Sequence, residues 1–99
     1  MQITKTLDGS TLTMRLSGQL NTTTADKLSD EIASSCDGVT DIVLDLEDLT
    51  YISSAGLRVI LTAQKALRGK GSLVIRNASP EIYAVFDMTG FIDFLTIEQ

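Results

Sequence analysis

Histidine is absent from the 99 residues. That removes the commonest general base, the Ser-His and Cys-His nucleophile pairs, and most zinc sites. Cysteine occurs once, as Cys36. No intramolecular disulfide can form from one thiol, and a reducing cytoplasm fits. Cys36 falls on the apolar side of an expected helix, where it reads as a small buried hydrophobe rather than a reactive thiol. No apolar run approaches the ~20 residues of a membrane span. The start Met1-Gln2-Ile3-Thr4-Lys5 lacks the apolar block of a signal peptide. Positive charge is scarce: 8 Lys and Arg stand against 13 Asp and Glu, a net charge of −5. The cations are scattered, so nucleic acid is not an expected partner, and the acidic surface suits a partner with a basic patch. No phosphate loop of the G-x-x-x-x-G-K-S/T type occurs. These absences argue against an independent enzyme and against a bound metal or cofactor. They place the chain in the cytoplasm.

What is present is an ordered alternation of strand and helix patterns in a chain long enough for one domain, residues 1–99. Residues 2–7 and 11–17 read as two strands, with Leu12, Met14 and Leu16 alternating against Thr11, Thr13 and Arg15. Asp8-Gly9 marks the tight turn between them. Gly18 to Thr24 reads as a loop that ends the strand. A helix follows from about Ala25 to Cys36, with Leu28, Ile32 and Cys36 on one face. Any of Thr22, Thr23 and Thr24 is a candidate cap. Asn21 fits a turn residue bonding its own backbone. Asp37-Gly38 closes the helix.

Residues 41–46 read as a buried central strand, nearly continuous in apolar residues. Asp45, Glu47 and Asp48 crowd its exit, which suits a solvated strand end better than a metal site, because no further ligand spacing supports one. A helix leaves Ser53-Ser54 and runs to about Leu67, with Leu57, Ile60 and Leu61 spaced for a buried face. Gly69 and Gly71 stop it. Residues 72–76 form a short strand. Ser79-Pro80-Glu81 then starts a helix with a cap, a proline at the first position and an acid in the first turn. Ile82, Val85 and Phe86 give that helix its apolar side, and Gly90 ends it. Phe91, Ile92, Phe94 and Leu95 are expected to pack a closing segment, with 95–98 as an edge strand.

Alternating strands and helices imply parallel pairs joined by right-handed crossovers, which march the strands across the sheet in order. The expected fold is α/β: a mixed sheet of four to five strands with helices mainly on one face. The second and third strands are parallel, so their carboxyl ends lie together. Helix N-termini at such ends form a ligand-facing rim. Asn21, Thr22, Ser53 and Ser54 are expected to converge there. Either serine fits a helix cap, whose hydroxyl accepts from an orphan N–H. The same place is partially positive and favours a phosphate, so a phosphoryl acceptor is the sharper reading.

The stretch Tyr51-Ile52-Ser53-Ser54-Ala55-Gly56-Leu57-Arg58-Val59-Ile60-Leu61 resembles the signature of the STAS domain, the family of bacterial anti-sigma-factor antagonists and sulfate-transporter tails. The antagonists carry an aromatic-apolar pair, then Asp-Ser-(Ser/Thr)-Gly-Leu-Gly opening a helix. Tyr51-Ile52 matches the pair, Ser54 the first serine, and Gly56-Leu57 the Gly-Leu. Ser53 stands at the usual Asp, Ala55 at the Ser or Thr, and Arg58 where Gly is frequent. Gly18-Gln19-Leu20-Asn21 is similar to the family's Gly-Glu-(Leu/Ile)-Asp, with Asn21 at the acid that helps order the phosphorylation site. Val85 to Phe91 is similar to the family's Leu-Phe-Asp-Met-Ser-Gly-Leu.

The resemblance implies an anti-sigma-factor antagonist with a STAS fold. Such a protein binds a kinase-type anti-sigma factor when unphosphorylated and is released by phosphorylation, here at Ser54 and less readily at Ser53. The kinase brings the ATP. The partner-facing residues it implies are Asn21, Thr22 and Thr23 on one loop. On the other they are Ser53, Ser54, Gly56, Leu57 and Arg58. The alternative within the family is an adaptor subunit of an ABC-type membrane transport complex.

Overall fold

The computed structural model describes residues 1–35, 38–93 and 95–98. The expectations for Cys36, Asp37 and Phe94 lie outside the described residues. Among the described residues, five strands and three helices follow in the order β1 (Gln2–Asp8), β2 (Thr11–Leu20), α1 (Thr22–Ser35), β3 (Asp41–Ile52), α2 (Ser54–Leu67), β4 (Ser72–Arg76), α3 (Pro80–Met88) and β5 (Thr96–Glu98). A 3₁₀ turn, Phe91–Asp93, precedes β5. The sheet order is β1-β2-β3-β4-β5, with β1 antiparallel to β2 and every later pair parallel. This is the mixed α/β sheet that the alternation implies.

The hairpin turn sits one residue later than the Asp8-Gly9 signal suggests. Asp8 pairs with Thr11, which leaves Gly9 and Ser10 as the two-residue loop, and Gly9 takes the left-handed conformation (φ 63°). Leu12 and Met14 pair across to Ile42 and Leu44, which pair in turn to Leu73 and Ile75, while Leu16 pairs with Ile3 on the other side. All but half-buried Ile3 are buried, and they form one core with Leu28 and Ile32 of α1, Leu57 and Ile60 of α2, and Ile82 and Phe86 of α3. Leu61 and Val85 are only half-buried. The alternate strand residues, among them Thr13, Val43, Val74 and Arg76, face the other way, and none of them is buried. All three helices therefore cover one face of the sheet and leave the other open.

Two expected loops are strand instead. β2 continues through Gly18 to Leu20, and β3 continues past Leu46 to Ile52. Register shifts between Arg15 and Ser17 and between Gly18 and Gln19 let the pair stay bonded. Such bulges insert a residue without ending the ladder, and Gly18, at φ 90°, supplies a conformation that side-chain-bearing residues avoid. The carboxylates at the β3 exit have partners in the same region. Asp48 Oδ2 lies 2.9 Å and Glu47 Oε2 3.5 Å from Arg15 Nη2. Asp45 Oδ1 accepts from the Glu47 N–H and from Asn77 Nδ2. The hydrogen bond to Asp48, and then its charge, hold the Arg15 pKa above its usual range.

Candidate functional site at the paired strand ends

The site is built by two strands that end together and two helices that begin at once. Leu20 and Ile52 are register partners at the ends of β2 and β3. The Ser53 N–H donates to the Leu20 carbonyl at 2.8 Å, and the Thr50 hydroxyl donates to the Gly18 carbonyl at 3.0 Å. One residue follows each strand before its helix starts: Asn21 before α1 and Ser53 before α2. The expected convergence of Asn21, Thr22, Ser53 and Ser54 is thus a consequence of strand pairing rather than of loop folding.

Asn21 caps α1, in place of the threonines considered from sequence. Its Oδ1 accepts from the Thr23 and Thr24 N–H groups at 3.0 and 3.1 Å. Thr24 Oγ1 accepts in return from the Asn21 N–H at 2.8 Å. This is a reciprocal capping box, with Thr at the position where Glu or Gln usually reaches back. Thr24 also donates to the Gln19 carbonyl at 2.9 Å, which ties the helix start to β2. The Asn21-x-x-Thr24 spacing is the signal in the sequence that identifies this arrangement. Thr22 and Thr23 are exposed on the first turn.

The two serines divide the roles that the sequence left open. Ser53 is extended (φ −97°, ψ 171°), and its hydroxyl accepts from the Gly56 N–H at 3.3 Å. Ser54 is the first residue of α2 and is exposed. Its hydroxyl makes no hydrogen bond to another described residue. The first-turn N–H groups of Ser54 and Ala55 have no intrahelical acceptor, so the hydroxyl stands where backbone dipoles favour an anion.

Gly56 and Leu57 lie beneath this surface. Leu57 is 2% exposed and Gly56 is buried. A Cβ on Gly56 would lie 2.6 Å from Leu20 Cγ and 3.2 Å from Ile52 Cγ1. Their side of the helix is packed against the ends of β2 and β3, so they shape the rim and are not presented on it. Arg58 is exposed one turn below Ser54. Tyr51, which the sequence offered only as part of a motif, is 49% exposed beside the site. A cavity of about 520 Å³ opens further along the same edge, against the start of α3, lined by Glu47, Asn77, Ala78, Pro80 and Tyr83. None of the sequence-predicted site residues lines it.

The STAS domain family model matches residues 2–99. BtrV of Bordetella bronchiseptica, assigned as an anti-sigma factor antagonist, is 42% identical over 84 residues, covering 83% of this chain and 72% of BtrV. The anti-sigma-B factor antagonist of Bacillus subtilis is 27% identical over 85 residues, 85% of this chain and 78% of that protein. These relatives are named for a regulatory binding role rather than for a reaction. Among solved structures, unphosphorylated SpoIIAA aligns with a TM-score of 0.85 at 22% identity, over 99% of this chain and 89% of its own. TM1081 of Thermotoga maritima aligns with a TM-score of 0.91 at 18% identity, over 98% and 86%. At such identities the two structures show a shared fold. Among the described residues no helix is long and apolar enough to cross a membrane. With the family model spanning almost every residue and BtrV similar over most of both chains, this protein belongs to the STAS domain family.

Proposed function

We propose that the protein is an anti-sigma factor antagonist that binds a kinase-type anti-sigma factor in its unmodified form and is released by phosphorylation at Ser54. The observation that carries this reading is the division of labour between adjacent serines. Ser53 commits its hydroxyl to the Gly56 N–H, while Ser54 leaves its own exposed and unbonded. In the transfer, Ser54 Oγ bonds to the γ-phosphorus of the partner's ATP and the bond to ADP breaks. The hydroxyl proton leaves to a base on the partner, because this chain sets no histidine beside the serine. The names of the relatives support an anti-sigma factor as the partner, and SpoIIAA, which shares the fold, is described in both unphosphorylated and phosphorylated forms. A sigma factor acts with RNA polymerase, so the exchange belongs in the cytoplasm.

The contact surface in this reading is the rim of exposed Thr22, Thr23, Ser54 and Arg58 around half-buried Asn21, with Tyr51 beside it. Phosphorylation adds about −1.5 to −2 charge at a helix start that tolerates it, so the fold is kept. Within a packed interface the same group adds bulk, desolvation cost and repulsion, and a loss of ~3 kcal/mol weakens binding more than a hundredfold. The test incubates the chain with candidate anti-sigma kinases and ATP and maps the modified residue by mass spectrometry. Ser54→Ala is expected to bind the kinase and resist modification. Ser54→Asp is expected to stay folded by circular dichroism and lose the partner. Equal phosphate incorporation into Ser54→Ala and the parent would overturn the assignment.

A further inference from the structure

We propose that Arg58 is the chain's own counter-ion for phosphorylated Ser54, so that the modified serine is held by an intramolecular phosphate–guanidinium pair. The proposal rests on Ser54 being the modified residue. Ser54 is the first residue of α2, and Arg58 is the residue four positions on. Residues so spaced lie one above the other on the helix surface. Helical side chains lean toward the N-terminus, so the long Arg58 side chain is directed back over the Ser54 turn. An anion one turn N-terminal to a cation is the favourable order for such a pair. A guanidinium offers the planar fork that phosphate oxygens accept best.

The state of Arg58 in the unmodified chain fits this role. It is exposed. The described ion pairs join Lys5 to Glu31, Arg15 to Glu47 and Asp48, and Arg76 to Glu98, and none of them uses Arg58. The neighbouring helix carries a carboxylate on the stripe that faces α2. Ser29 and Ala33 of α1 share a groove with Val59 and Thr62 of α2. Asp26 lies one turn before Ser29 on that stripe and is exposed. A carboxylate there carries one charge, whereas a phosphoserine carries up to two and three acceptor oxygens. The phosphate on Ser54 therefore outcompetes Asp26 for Arg58. The pairing also withdraws Arg58 from carboxylates of a bound partner at the moment of modification.

The experiment places phosphoserine at position 54 during translation, by site-specific incorporation, so that no kinase is needed. The phosphate is then titrated by ³¹P NMR at low salt. A second ionisation near pH 6 is ordinary for phosphoserine. In the parent it is expected to fall about 0.2–0.4 pH unit below that in Arg58→Gln, the size of an exposed pair at this spacing. Arg58→Lys should keep part of the displacement. Arg68→Gln, beyond the far end of α2, should keep all of it. In 1 M NaCl the parent and Arg58→Gln should converge. Arg58 is exposed and packs into no core, so the variants are expected to fold, and the phosphorus signal reads the pair directly. Coincident titrations of parent and Arg58→Gln at low salt would overturn the proposal, as would an equal displacement in Arg68→Gln. Failure of every kinase to modify Ser54 would instead count against the proposed function and would leave the titration result standing.

Discussion

Gly56 shows how one residue couples the site to the core. It is buried in the first turn of α2, and the room for a side chain there is already taken by Leu20, which is fully buried, and by Ile52. A methyl group must displace Leu20 Cγ, which sits in the middle of a packed side chain rather than at a free end. Gly56→Ala is expected to destabilise the fold by about 1–3 kcal/mol, the usual cost of overpacking. In a Leu20→Ala background most of that extra cost should vanish, and urea denaturation of the four proteins reads the coupling. Additive effects would show that the contact is not what excludes a side chain. Ser53 makes a second, smaller contribution. Ser53→Ala removes the acceptor for the Gly56 N–H and is expected to cost about 1 kcal/mol, while Ser54→Ala, which removes no bond, should leave the denaturation midpoint nearly unchanged. If the two substitutions cost the same, Ser53 is not the cap.

At the scale of elements, the feature that positions the site is the unequal length of neighbouring strands. β3 pairs with β4 only as far as Asp45↔Arg76, but with β2 as far as Leu20↔Ile52. The start of α2 is therefore carried beyond the end of β4, next to the start of α1. The opposite end of the sheet depends on a close backbone approach. A Cβ on Gly71 would lie 1.7 Å from the Thr40 carbonyl oxygen, a backbone atom held by its bond from the Ser72 N–H. Gly71→Ala is expected to cost more than Gly56→Ala, about 3 kcal/mol or more, because strand β4 itself must move. Hydrogen exchange should show early loss of protection at Leu73 and Ile75, with α1 less affected. Uniform loss across the chain would argue that β4 does not separate from β3 on its own.

For the whole molecule, acid sensitivity follows from two carboxylates. Hydrogen bonds from Ser72 and then Thr40 hold the Asp41 carboxyl below its ordinary value of 3.8. The hydrogen bond and then the charge of Lys5 hold Glu31 below 4.5. A carboxyl depressed on folding contributes its stability above the unfolded value and loses it as pH falls through the folded one. Stability should therefore be level above about pH 5 and decline below about pH 4. Asp41→Asn should be less stable than the parent at pH 7, and the gap should narrow toward pH 3 in urea titrations. A gap that stays constant with pH would show that the ionised form of Asp41 is not what the fold uses. Both groups are only partly buried, so the effect is modest and adds to general acid unfolding.

Much of this architecture is legible in the chain itself, because it rests on local rules. The period-two run Leu12, Met14 and Leu16 makes a one-sided strand wherever it lies, and Ser79-Pro80-Glu81 starts a helix with the Ser79 hydroxyl accepting from the Ile82 N–H. Alternation of such segments then implies the order of the sheet. What the sequence left open are choices between equally good local solutions. Both serines satisfy the cap rule, and the Leu20 carbonyl decides between them by taking the Ser53 N–H and holding that residue extended. Gly18 reads locally as a strand end, and the pairing of β2 with β3 makes it a bulge within a longer strand instead. The spacing of Leu57 turns it inward, but nothing local says which way Gly56 faces, and packing against Leu20 and Ile52 turns it in. The chain alone determines which elements form and in what order, since propensity, periodicity and caps act within a few residues. Which hydroxyl is spent and which stays free is decided in the tertiary structure, where a carbonyl from a strand more than thirty residues earlier supplies the missing bond.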